Sequence, residues 1–287
     1  MNIILSENLS YCMGVKRTLN MTQKLLDTSP GITFYMLGEI VHNEYVIRDL
    51  KDRGLIFISD IREINTPGTV IIQSHGASKK VFGELKKKKI PYIDATCPMV
   101  KVIHRRIVEL EKEGYVPLII GRKGHDEVRG IQGQVSNSLV AGSEEEITDT
   151  LVKGLNKIGV VVQSTFIYED ARKIVARLKE SVPEVKFVNT ICQPTSQRQD
   201  EIQRQSQLHD VVLIIGSKTS ANTRHLFRLA RNGKSRVYLV DQPERVAALD
   251  IPVDGSVFIA SGASTPQYLI EEVIVFLKKM ESELPDG

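Results

Sequence analysis

The sequence predicts an α/β fold made of three pseudo-repeated domains, each with a small parallel sheet. Three observations carry the prediction. Six continuous Val/Ile/Leu-rich runs each end in a loop rich in Gly, Ser, His or Asn. Amphipathic stretches of helical length lie between them. The only three cysteines, Cys12, Cys97 and Cys192, divide the 287 residues into near-equal thirds. Apolar runs without alternation are what strands covered on both faces look like, as in parallel sheets flanked by helices. Strands alternating with helices then call for right-handed crossovers.

In chain order the runs extend from Phe34 to Asn43, Thr69 to Ser78, Val116 to Glu127, Ile158 to Thr165, Val211 to Asn222 and Ser256 to Ser264. A further short run, Tyr92-Ile-Asp94, ends in the turn that carries Cys97, and Pro98 opens a helical pattern. From Val100 to Gly114, apolar Val100, Ile103, Ile107 and Leu110 recur every three or four residues with charges between them. The stretches from Tyr168 to Ser181 and from Thr265 to Glu283 read the same way.

The spacing makes this a repeat. From Cys97 to Gly121 is 24 residues, from Cys192 to Gly216 also 24, and from Cys12 to Gly38 26. Each cysteine is followed by a helix-like segment, a strand ending in glycine, and a second strand and loop 36 to 45 residues later. Asp94-Ala-Thr-Cys97 rhymes with Asn189-Thr-Ile-Cys192. The expected units are therefore 1–96, 97–191 and 192–287, the last with a C-terminal helix. No Pro/Gly-rich linker separates them, so they are expected to pack together.

Composition narrows the function. With 41% hydrophobic and 25% charged residues and a net charge of +3, the chain reads as an ordinary globular protein with interspersed charges. That balance is weak evidence for nucleic acid, fits an anionic small molecule at least as well, and is also what an ordinary solvated surface gives. The N-terminus has no basic segment and only four apolar residues before Ser6, unlike a signal peptide. No apolar run reaches the roughly 20 residues of a bilayer span, so a cytoplasmic protein is expected. Three cysteines cannot all pair within one chain. A metal or redox centre, a catalytic thiol, or burial of unrelated thiols remain open.

Ligands of open parallel sheets lie beyond the carboxyl ends of the strands. Those ends carry His42, His75, His125, Glu127, Ser164, Thr165, Ser220, Asn222 and Ser264. Donors and small residues dominate, which suits a phosphate or diphosphate. His104, His209 and His225 fall in or beside helical stretches and read as surface or core residues. The loop histidines also admit a zinc site, although no His-x-x-x-His or Cys-x-x-Cys pair anchors one. Three converging thiolates fit an iron–sulfur cluster better, with one iron left open as a Lewis acid. Glu127 is the natural proton donor, or else merely a helix-capping carboxylate. A zinc-dependent phosphohydrolase and a non-catalytic phosphometabolite sensor are the rival classes.

The residues also carry a family pattern. Tyr11-Cys-Met-Gly-Val15, Glu39-Ile-Val-His-Asn43, Ser74-His-Gly76, Asp94-Ala-Thr-Cys-Pro98 and Gly124-His-Asp-Glu-Val128 appear in order. Gln163-Ser-Thr165, Thr190-Ile-Cys192, Gly216-Ser-Lys-Thr-Ser-Ala-Asn222 and Gly262-Ala-Ser264 follow. Each motif is short, but nine in register over residues 11 to 264 are specific. The sequence resembles the 4-hydroxy-3-methylbut-2-enyl diphosphate reductase (IspH/LytB) family, whose members catalyse the last step of the methylerythritol phosphate route to isoprenoids.

That resemblance implies a trefoil of three α/β domains around a central 4Fe-4S cluster held by Cys12, Cys97 and Cys192. It implies that the open iron binds the substrate's C4 hydroxyl, and that His42, His75, His125, Ser220, Asn222 and Ser264 hold the diphosphate. Ser164 and Thr165 match the family's Thr-Thr pair, and Glu127 matches its proton donor. It further implies a ferredoxin or flavodoxin as electron donor. Two positions depart from the pattern. Ala221 stands where a second serine is usual, which leaves its backbone N–H as the donor, and Ser164 replaces a threonine but keeps the hydroxyl.

Overall fold

The computed structural model describes residues 1–282 except His42 and Val253. The first strand, β1 (Asn2–Leu5), is followed by α1 (Met13–Thr28). One sheet then takes β2 (Phe34–Leu37), β3 (Ile56–Ile58), β4 (Thr69–Ile72) and β5 (Tyr92–Asp94), with α2 (Glu44–Asp52) and α3 (Lys79–Lys87) between strands. After α4 (Pro98–Lys112), a second sheet takes β6 (Val116–Ile120), β7 (Leu139–Ala141), β8 (Lys157–Val162) and β9 (Glu184–Phe187). Its connections include α5 (Asp126–Gln132), α6 (Asp149–Val152) and α7 (Tyr168–Ser181). The chain closes with α8 (Gln193–Gln205), β10 (Val211–Ile215), α9 (Ala221–Ala230), β11 (Arg236–Val240), β12 (Ser256–Ser261) and α10 (Gln267–Ser282).

All pairings in the three sheets are parallel. The orders are β3-β2-β4-β5, β7-β6-β8-β9 and β11-β10-β12-β1. The three are the same order, with one exchange: the last sheet takes its fourth strand from the N-terminus, where Asn2 pairs with Ser256. Each fourth strand runs into a cysteine loop, β1 into Cys12, β5 into Cys97 and β9 into Cys192.

The six apolar runs are the inner strands β2, β4, β6, β8, β10 and β12, buried along most of their length. In the second sheet, Leu118, Ile120, Val160 and Val162 pack with Ala171, Ile174, Val175 and Leu178 of α7 on one face. Ile119 and Val161 pack with Ile103, Ile107 and Leu110 of α4 and Val128 and Ile131 of α5 on the other. Both faces are thus covered, which is why the run does not alternate; each such side chain contributes about 1.5–3 kcal/mol on burial. The edge strands β3, β7 and β11 are short or half-exposed and carry a weaker apolar signal. The helix read from Tyr168 to Ser181 is α7 with those bounds. The one read from Thr265 begins two residues later, just after Pro266, and Glu283, its expected end, lies outside the described residues.

The chain packs as two compact units. One comprises Met1–Val15, Val41–Ile47 and Gln193–Gly287; the other comprises Lys16–Ile40 and Arg48–Cys192. The second unit holds the first two sheets, and the first holds the sheet of β1, β10, β11 and β12. No helix among the described residues is long and apolar enough to cross a membrane.

Candidate active site

Each cysteine occupies the same local position in its sheet. The Cys97 N–H donates to the Ser74 carbonyl at 2.9 Å, Cys192 to Ser164 at 3.0 Å, and Cys12 to Ala263 at 3.0 Å. The acceptors lie in the loops just beyond β4, β8 and β12. For two cysteines the turn is set three residues upstream. The Asp94 carboxylate accepts the Thr96 N–H at 3.0 Å, and Asn189 Oδ1 accepts the Ile191 N–H at 3.1 Å. These Asx turns are the physical content of the Asp94/Asn189 rhyme. None of the three thiols is in a disulfide and each is half-buried. Soft thiolate donors from three equivalent loops fit an iron–sulfur cluster.

In the larger unit, α5 is anchored next to the loop after β4: the Lys79 N–H donates to the Gly133 carbonyl at 3.1 Å and Gln134 Nε2 to the Ala77 carbonyl at 2.9 Å. At Gly121 a β-carbon would fall 2.8 Å from Val128 Cγ2, so glycine there lets α5 settle on the end of β6. The approach sets the His75 and His125 rings edge to face, 5.3 Å apart. His125 is the N-cap of α5, and its Nδ1 accepts the Glu127 N–H at 3.2 Å. In the neutral ring that leaves Nε2 as the donor.

Glu127, in the first turn of α5, is 1% exposed. Its two oxygens take the Ser164 N–H at 2.6 Å and the Ser164 hydroxyl at 2.8 Å. Burial pushes its carboxyl above the ordinary range, and the two Ser164 bonds offset part of that rise. Ser164 also gives its carbonyl to Cys192, so one residue joins the candidate acid to a candidate ligand. Thr165 Oγ1 accepts from Gln163 Nε2 at 3.3 Å. Asp126 behaves oppositely to Glu127. Burial pushes its carboxyl up, but Arg129 and the two histidines more than reverse this and hold it below the usual carboxylate range.

In the other unit, Ser264 follows the Ala263 carbonyl that takes the Cys12 N–H, and its hydroxyl lies 3.5 Å from that of Ser220. Ser220 is the N-cap of α9, with its Oγ accepting the Thr223 N–H at 3.4 Å. Ala221 and Asn222 are the first helical residues, whose N–H groups have no acceptor within the helix. Asn222 is 5% exposed, yet neither its Nδ2 nor its Oδ1 has a partner among the described residues. A buried amide without partners beside a helix N-terminus suits an anionic ligand. His42 lies outside the described residues, so the three-histidine set is not complete here. Among the described residues no three His, Cys, Asp or Glu side chains are gathered to grip a single metal ion.

The histidines read as core or surface fall there. His104, on α4, is mostly buried, which lowers it to about 4, and His209 stacks on Phe258 with centroids 5.7 Å apart. Sequence reading assigned no role to Gln73 or Gln163. They are buried at the ends of β4 and β8, and their side-chain oxygens take the His75 N–H at 2.6 Å and the Arg122 N–H at 3.0 Å. The available signal was a glutamine closing two otherwise apolar runs, in equivalent places.

Comparison with known proteins follows the same lines. The chain matches the family described as LytB protein over residues 3–278. A protein of Wolbachia pipientis wMel named 4-hydroxy-3-methylbut-2-enyl diphosphate reductase is 35% identical over 97% of this chain and 92% of its own length. One of the same name from Nitrosomonas europaea is 30% identical over 98% and 88%. A solved (E)-4-hydroxy-3-methyl-but-2-enyl diphosphate reductase, described as the terminal enzyme of the non-mevalonate pathway, superposes with a TM-score of 0.71 at 34% identity, over 97% of this chain and 100% of that one. A reductase structure from Plasmodium falciparum gives 0.85 at 27% identity, over 96% and 88%. With a family match across nearly the whole chain and full-length relatives above 30% identity, the chain belongs to the LytB family of 4-hydroxy-3-methylbut-2-enyl diphosphate reductases.

Proposed function

We propose that this chain carries out the reaction for which its relatives are named. In it, 4-hydroxy-3-methylbut-2-enyl diphosphate, two electrons and two protons give isopentenyl or dimethylallyl diphosphate and water. The observation that carries the reading is the buried Glu127 carboxyl, raised by its surroundings and held by Ser164, whose carbonyl takes the Cys192 N–H.

Cys12, Cys97 and Cys192 would hold a 4Fe-4S cluster. When bound, it supplies the electrons and a Lewis-acidic iron without a protein ligand. The chain's own residues do the rest. Ser220, Asn222, Ser264 and the backbone N–H groups of Ala221 and Asn222 bind the diphosphate, together with His42, His75 and His125. Anchoring that end orients the C4 hydroxyl at the other. Burial favours the protonated form of Glu127, which gives its proton to the departing hydroxyl so that water leaves. Ser164 aims the carboxyl and, through its two hydrogen bonds, stabilises the carboxylate left behind until it is reprotonated.

The same reading treats 1–96, 97–191 and 192–287 as three copies of one cysteine-bearing unit, supported by the common strand order. Thiols outside any disulfide support a reducing compartment, the cytoplasm. The electron donor is a ferredoxin or flavodoxin, by analogy with the family. Anaerobic purification tests the core of the proposal. About four iron and four sulfide per chain, with product formed from the diphosphate under a low-potential reductant, is the expected result. Zinc without iron, or a metal-free chain that binds the diphosphate and does not turn it over, refutes it.

A further inference from the structure

α8 differs from α4 and α7 in what it buries. α4 buries Val100, Ile103, Ile107 and Leu110, and α7 buries Ala171, Ile174, Val175 and Leu178. α8 buries Thr195, Arg198, Gln199, Glu201 and Ile202. Arg198 and Glu201 are each 5% exposed. Removing ionised groups from water is costly unless well-placed partners repay it. Here the partners are the segment that leads to Cys12. Glu201 Oε2 accepts from the Ser6 hydroxyl at 2.6 Å and from Asn8 Nδ2 at 3.5 Å, and Oε1 takes the Glu7 N–H at 2.9 Å. Arg198 donates from Nη2 to the Ser10 carbonyl and from Nη1 to the Ser261 carbonyl, both at 2.9 Å.

That segment needs holding. Cys97 and Cys192 each sit three residues after an Asx-turn residue, whereas Leu9 occupies the corresponding place before Cys12 and has no side-chain acceptor. The tether is also longer. Residues 6–11 separate β1 from Cys12, against 95–96 between β5 and Cys97 and 188–191 between β9 and Cys192. Ser10, at φ +65°, lies in the left-handed region that disfavours side chains. It persists there because its N–H is bound to Ser261 Oγ at 2.8 Å, its hydroxyl to the Thr265 carbonyl at 3.1 Å, and its carbonyl to Arg198.

We propose that Arg198 and Glu201 are positioning residues for Cys12. They replace the missing Asx turn and present that thiolate to the cluster. The inference rests on the reading of Cys12 as a cluster ligand. Its test uses the alkylation rate of each cysteine by iodoacetamide in the metal-free chain, followed by peptide mass spectrometry, and iron release from the anaerobically loaded protein to a chelator. In Glu201→Ala and Arg198→Met, Cys12 alkylates about tenfold faster while Cys97 and Cys192 keep their rates, and iron release accelerates by a similar factor, as expected for loss of charge-assisted bonds. An unchanged Cys12 rate in a folded variant overturns the proposal, as does an equal rise at all three cysteines. If those variants do not fold, Ser6→Ala removes the bond to Glu201, together with the Asn8 N–H bond to the same hydroxyl, without stranding a charge, and an unchanged Cys12 rate there overturns it equally. A wild-type chain that takes up no iron refutes the cluster reading instead, and the alkylation comparison is scored independently of it.

Discussion

Replacing Glu127 with Gln exchanges one oxygen for an NH2 group in a site where both carboxylate oxygens are already engaged. The backbone N–H of Ser164 is a fixed donor, so the amide oxygen must stay on it and the new NH2 must face the Ser164 hydroxyl. That hydroxyl now donates to Glu127 at 2.8 Å but can rotate to accept. The net loss is thus at most one hydrogen bond, about 0.5–1.5 kcal/mol, or a few degrees in Tm. Catalysis behaves differently, because an amide cannot deliver the proton: turnover falls by about 10²–10⁴ while substrate still binds and the cluster is retained. The assay is product formation under a reduced viologen, beside iron content and substrate affinity. Turnover within about threefold of wild type refutes the role of Glu127 as the acid.

The same variant carries a pH signature. The folded-state carboxyl lies above its ordinary value of 4.5, so protonation favours the folded protein. That contribution is fully present below the unfolded value and is lost as pH rises through the raised folded one. Glu127→Gln lacks the titration. Its Tm should therefore gain on wild type as pH rises above the ordinary carboxylate value, and a gap that does not move with pH contradicts the assigned shift.

Ser164→Ala removes one of the two bonds that hold the Glu127 carboxyl down. Its alkaline activity limit should move to higher pH, which a pH–rate profile reads directly. Asn222→Leu removes a buried amide that has no partner among the described residues. It should leave the Tm of the ligand-free protein unchanged or raised, yet weaken diphosphate binding by about 1.5–3 kcal/mol in titration calorimetry. Ala221→Ser restores a hydroxyl at the first helical position of α9 and should tighten diphosphate binding by about 0.5–1.5 kcal/mol in the same measurement. Cys97→Ser should lose visible absorption and most of its iron after anaerobic loading, and a full complement of iron in that variant would contradict ligation.

Much of this protein was legible from residue order. Strands buried on both faces must be apolar throughout, so β2, β4, β6, β8, β10 and β12 announced themselves as continuous runs. The even spacing of Cys12, Cys97 and Cys192 marked a repeat, because each copy must place its thiol at the same turn. Strand-end loops rich in Ser, His and Asn marked the candidate site, because small or polar residues suit an anion there. The edge strands β3, β7 and β11 escaped, since a half-exposed strand of three to five residues need not be apolar.

Tertiary structure alone decided the rest. No local pattern says that β1 completes the sheet of β10 to β12, because hydrogen bonding to Val257 and its neighbours is a contact between the two ends of the chain. Nor does sequence distinguish a carboxylate that caps a helix from one sealed at 1% exposure. The raised Glu127 carboxyl is the work of burial, offset in part by Ser164, 37 residues away, and a pKa depends on the surroundings that folding assembles. The same holds for Arg198 and Glu201, which look like ordinary charges on a polar helix until the loop of Cys12 is folded against them.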